Sequence, residues 1–100
     1  MEMEIKRLKQ MTIQEFADKH KLVMVAEQIE PKKWLACFKN AETLNDIFLR
    51  SEAGYGPTMW DAVKDYARII SNETLVVDAC NPGKRLLIPV PILTVSDEGA

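Results

Sequence analysis

One hundred residues suffice for one domain and are too few for two. A net charge of −2 and a pI near 5.4 leave no surplus of Lys and Arg, the means by which nucleic-acid-binding domains neutralise phosphates. Two cysteines without CxxC spacing do not make a disulfide scaffold, and no apolar stretch forms a signal peptide or approaches the roughly 20 residues of a membrane span. The expectation is a soluble, cytoplasmic protein.

Residues 1–11 read as a charged N-terminal extension, with Ile5, Leu8 and Met11 spaced as in a helix extended backwards or in a frayed arm. Thr12-Ile13-Gln14-Glu15 is a capping box, in which Thr and Glu each satisfy an orphan backbone N–H. Ile13, Phe16, Ala17 and His20 follow on one helical face, which predicts a helix over 12–20. Leu22 to Ile29 is rich in β-formers and closes in the turn Glu30-Pro31-Lys32-Lys33. Trp34, Ala36 and Phe38 alternate with Leu35, Cys37 and Lys39, which predicts a second strand. A third is expected over Leu44 to Arg50, completing an antiparallel meander.

Gly54-Tyr55-Gly56-Pro57 breaks the chain, and Thr58 is placed to cap a second helix. Its apolar face is Val63, Tyr66, Ala67 and Ile70, with Met59, Ala62 and Ile69 beside it, and its end is Ser71-Asn72. Leu75-Val76-Val77 reads as a strand and Asn81-Pro82-Gly83-Lys84 as a turn. A last strand is expected over Leu86 to Leu93, where Pro89 and Pro91 remove donors from one edge and mark an edge strand guarded against pairing. Residues 94–100 read as a loose acidic tail, which leaves 12–93 as the domain. The expected class is α+β, order α-β-β-β-α-β-β, with two helices on one face of an antiparallel sheet.

Residues with chemistry to offer are few. His20 is the only histidine, and its position at a helix end suits an imidazolium against the helix dipole better than a metal site. Cys37 lies mid-strand, where a thiol acts as a small buried hydrophobe, and Cys80 precedes a turn. The Gly54–Thr58 loop lacks the Lys-Ser/Thr ending of a P-loop and the third Gly of a dinucleotide fingerprint, so it reads as a tight turn between strand and helix. Neither a catalytic pair nor a cofactor or metal set is expected. Trp34 reads as core. Trp60, in the first turn of the second helix and slightly off its stripe, is either half-core or a binding anchor.

Gly54-Tyr55-Gly56-Pro57-Thr58 followed by Ala62, Tyr66 and Ala67 resembles the strand–turn–helix of double-stranded RNA-binding-like domains. The α-β-β-β-α order of residues 12–71 is similar too. The resemblance implies that fold, and its RNA-binding members carry lysines in the first turn of this helix. Met59, Trp60 and Asp61 stand in those places, with Lys64 after them. The same turn and helix are more weakly similar to HicB-type antitoxins, and the whole chain resembles short phage or prophage accessory proteins.

The function expected from these residues is non-enzymatic binding of a protein partner, as an inhibitor, adaptor or antitoxin-like protein. Its contact residues would be Met59, Trp60, Lys32 and Lys33, with the C-terminal strand beside them. The alternative is a duplex-RNA-binding module using Lys32, Lys33, Lys64, Lys84 and Arg85. An oligomeric state is not specified by the pattern.

Overall fold

The computed structural model describes residues 10–95, which form an α+β domain of two helices and nine short strands. Strand β1 (Gln10–Thr12) runs directly into helix α1 (Ile13–His20). The capping box forms as the sequence requires: Glu15 N donates to Thr12 Oγ1 at 3.1 Å, and Thr12 N donates to Glu15 Oε1 at 2.9 Å. Met11 therefore lies in a strand rather than in a backward extension of the helix, whereas Ile5 and Leu8 fall outside the described residues.

Strands β2 (Met24–Glu30) and β3 (Lys33–Phe38) pair antiparallel through the expected Pro31-Lys32 turn, with Lys32 left-handed at φ 61°. The sequence-based expectation then departs from the structure. Leu44 to Arg50 is not one strand but a hairpin, β4 (Ala41–Asn45) and β5 (Phe48–Arg50), turned at Asp46-Ile47. Asp46 takes a left-handed φ of 60°, a conformation that Asp tolerates through local hydrogen bonding. The third strand of the meander is β6 (Gly54–Gly56), the segment that glycine content marks as a break.

Helix α2 (Met59–Ile70) explains those glycines. Gly54 faces the helix so closely that a Cβ there would overlap the Ala62 carbonyl and the Tyr66 backbone, and a Cβ on Gly56 would meet that of Asp61 at 2.5 Å. Neither glycine has a positive φ, so close approach rather than turn geometry demands them. The helix buries the expected face, Ala62, Val63, Tyr66, Ala67 and Ile70. Burial of Ile70 alone is worth about 2 kcal/mol. Phe38 of β3 touches Phe16 of α1 and Tyr66 of α2, with ring centroids 6.2 and 5.5 Å apart, so both helices lie on the same face of that strand.

After α2, Asn72 is left-handed at φ 64°, as its type suggests at a helix end. Strand β7 (Thr74–Val77) pairs with β4 on one side and with β8 (Leu86–Pro89) on the other, giving a second sheet of order β5-β4-β7-β8. The expected final strand is interrupted at Val90-Pro91, and its second half, β9 (Ile92–Thr94), pairs parallel with β1. Ser71 joins these parts: its hydroxyl donates to Ala67 O at 2.7 Å and accepts from Leu93 N at 2.9 Å. Thr94 and Val95 thus belong to the folded body rather than to a tail, and residues 96–100 lie outside the described region.

Replacing Gly54 with Ala is expected to cost at least about 2–3 kcal/mol by forcing β6 off α2. Gly83→Ala, whose new methyl would approach only Asn81 Oδ1 at 3.7 Å, is expected to stay within about 0.5 kcal/mol of wild type. Urea midpoints of the two variants check both expectations.

Candidate functional site

Thr58 starts α2 by accepting a hydrogen bond from Asp61 N at 3.1 Å, and its hydroxyl donates to Asp61 Oδ2 at 2.9 Å. With the helix start fixed and Gly56 pressed against it, Met59 and Trp60 project beside α1. They form one wall of a groove of about 340 Å³. Ile13 and Ala17 of α1 form the opposite wall, Met24 and Ala26 of β2 the floor, and Gln14 and Asp18 supply its polar rim. Met59 is 40% exposed and Trp60 half-buried, so the tryptophan combines both readings of the sequence: it packs on the core and still faces the groove.

The anionic end of Asp61 occupies the first turn of α2, where a bound phosphate would otherwise find the positive end of the helix dipole. One turn later, Asp65 accepts from Tyr55 N at 3.0 Å and from Arg68 at 2.8 Å; that guanidinium is the leading cause of its carboxyl lying below the ordinary range, with the Tyr55 N–H adding to it.

The lysines divide among separate places. The pairing of Trp34 with Gly56 brings the Lys32-Lys33 turn to the end of the sheet where α2 begins. Lys33, however, lies on the opposite face, its ammonium 5.7 Å from the Tyr55 ring centroid. Lys64 is exposed on α2 and borders a shallow cleft with Arg68 and Leu93. Lys84 and Arg85 sit in the β7–β8 loop, next to the pairing of Val77 with Leu86 and Ala41. Lys33 and Phe38 are the two ends of β3, on the order of 16 Å apart at strand rise, and Ala41, beside the β7–β8 loop, follows the Phe38 end. The five cations therefore do not meet in one patch.

A larger cleft, about 490 Å³, opens at the corner between β3 and β4, where Asn40 is left-handed at φ 59°. Cys37 and Cys80 both line it, together with Glu42, Glu52 and Asp78. Cys37 is half-buried rather than enclosed in the core. Burial first, and then the charge of Glu27, pushes its thiol above the ordinary value, the opposite of what activates a nucleophile. His20 is not among the residues lining this cleft. Among the described residues, no three His, Cys, Asp or Glu side chains are grouped to hold a metal ion.

His20 packs against Phe16 with the rings tilted by 55° and their centroids 4.6 Å apart. Burial, followed by the neighbouring Lys19 charge, lowers its pKa. The helix-end dipole that the sequence suggested would favour an imidazolium is outweighed by lost hydration and a like charge. Tyr66, fully buried between α2 and β3, is pushed up to about 12 chiefly by burial and stays neutral.

No protein-family model, curated protein or solved structure matches the chain. Among the described residues, no helix is long and apolar enough to cross a membrane.

The lowered pKa of His20 sets the direction of a pH effect. As pH falls through 6.5, the unfolded chain takes up a proton that the folded one resists, so stability is lost on the acid side and is unaffected well above 6.5. Between about pH 7 and pH 5 the urea midpoint of wild type should therefore fall further than that of His20→Gln.

Proposed function

We propose that this protein is a non-enzymatic binding protein whose partner is another protein, held through the groove beside Met59 and Trp60. The observation carrying this reading is the groove itself. Its walls come from three different elements, and its lining is apolar except for Gln14 and Asp18 at the rim. A half-buried Trp beside an exposed Met is the composition that protein interfaces favour: a rigid aromatic anchor with an adaptable thioether next to it. An apolar segment of a partner, such as one face of an amphipathic helix, fits that lining.

The same reading keeps a double-stranded RNA-binding-like ancestry, supported by the three-stranded antiparallel sheet β2-β3-β6 between the two helices, into which the β4–β5 hairpin of the second sheet is inserted before β6. It sets the RNA function aside. Asp61 occupies the helix start, and Lys32, Lys33, Lys64, Lys84 and Arg85 are dispersed. An inhibitor, adaptor or antitoxin-like role in a phage-type, cytoplasmic setting is consistent with a small domain that recognises a partner and transforms nothing.

Peptides selected from a random display library against the folded protein test this directly. Apolar peptides are expected to bind, with at least about a tenfold loss on Trp60→Ala and little change on combined Lys32→Glu and Lys33→Glu. Selected peptides that bind Trp60→Ala as well as wild type would sink the reading. In parallel, the fluorescence anisotropy of labelled duplex RNA should stay flat even at low salt. A steep, salt-sensitive rise would transfer the function to phosphate recognition.

A further inference from the structure

Every open sheet ends in strands whose outer N–H and C=O groups are free to pair with another strand. The two larger sheets have four such edges: β2 and β6 in one, β5 and β8 in the other. Three of them carry features that discourage pairing. On β8, Val90 N donates to Glu73 O at 2.9 Å and Val90 O accepts from Asn72 N at 3.1 Å, so alternate residues face inward and Pro89 and Pro91 take the outward positions, where they offer no N–H. On β6, the outward N–H of Tyr55 is taken by Asp65. Strand β2 carries Glu27 and Glu30, and its register breaks between Gln28 and Glu30.

The β5 edge holds no proline and no bulge, and Arg50 is its one charge. Ile47 and Phe48 are 84% and 67% exposed, the highest values among the large apolar side chains of the described residues. The two-residue turn closes on the pair Asn45 and Phe48, and ladder alternation then directs the N–H and C=O of Leu49 outward. The Leu49 side chain lies opposite Leu44. Thr43, its neighbour on β4, points the other way and is buried.

We infer that β5 is the interface of a symmetric dimer, pairing antiparallel with β5 of a second copy about a two-fold axis at Leu49. This register is self-complementary. Leu49 exchanges both backbone hydrogen bonds with its own copy, and the four side chains Leu44, Leu49 and their symmetry mates form one row across the seam. Phe48 faces Arg50 of the other copy, so the guanidinium meets a ring rather than another guanidinium. Because a two-fold pairing is isologous, it uses up the β5 edge of both copies and closes at two chains instead of growing into a fibre. The interface shares no residue with the groove at Met59 and Trp60, so its failure and the failure of the partner-binding reading are separable.

Sedimentation velocity on the full chain across roughly 5–500 µM tests the proposal. Wild type is expected to shift from monomer to dimer as concentration rises. Leu49→Lys and Leu49→Asp should each weaken the dimer at least about tenfold by placing like charges on the axis. An equimolar mixture of the two variants should restore it, because only at a two-fold axis does residue 49 meet residue 49. Leu87→Lys, an exposed substitution on β8 away from the seam, should leave the dimer unchanged. Circular dichroism confirms that each variant folds. A monomeric wild type at the highest concentration overturns the inference and leaves the edge to a strand from a different protein. A dimer that survives Leu49→Lys, or a folded mixture that stays monomeric, overturns it as well.

Discussion

The close approach of β6 to α2 is the contact from which most of the structure follows. Two missing side chains, at Gly54 and Gly56, allow backbone to lie against backbone. That approach seats Tyr66 over β3, where its ring meets Phe38 edge-on. Phe38 in turn receives Phe16 from α1, so one glycine pair indirectly positions both helices. The groove at Met59 and Trp60 is the remaining gap: α1 and the start of α2 are each held down separately, and Met24 and Ala26 are left as the floor between them.

Glycine is spent on contact and not on conformation. Six described residues take a positive φ, and none is glycine: Lys21, Lys32, Asn40, Asp46, Asn72 and Asp78. Four are Asn or Asp, whose short polar side chains compensate locally for the left-handed strain; Lys21 and Lys32 have no such help and carry a cost on the order of 1 kcal/mol each. The acidic side chains are used in the same economical way. Glu15 completes a cap, Asp61 fills a helix start, and Asp65 closes a strand edge. Glu15 and Asp65 accept from backbone N–H groups and Asp61 accepts from the Thr58 hydroxyl, which sets a negative charge at the start of α2 where the Gly-rich loop ends.

The local elements were legible because their causes are local. The capping box, the α2 stripe and the Pro31-Lys32 turn each rest on interactions within a few residues, and each is present in the structure. The hairpin at Asp46-Ile47 is equally local, its pairs lying three to seven residues apart, but its turn holds no glycine to mark it. β6, by contrast, depends on a helix that follows it. Residues 92–94 read as the end of a single strand because their partner, β1, lies some eighty residues earlier in the chain. At the candidate site, Trp60 and Met59 stood out by type and position, whereas Met24 and Ala26 carried no signal, since only the packing of three elements makes a floor of them.

Residue type and near spacing alone set the α+β composition, the two helices with their caps and the prolines along β8. The tertiary structure decided which strands are neighbours and that the basic residues are scattered. It also decided that His20 sits where an imidazolium is disfavoured, and that one apolar edge is left open. These depend on pairings between distant segments, where a contact exists only once the intervening chain has folded, and no local pattern encodes where that contact will fall.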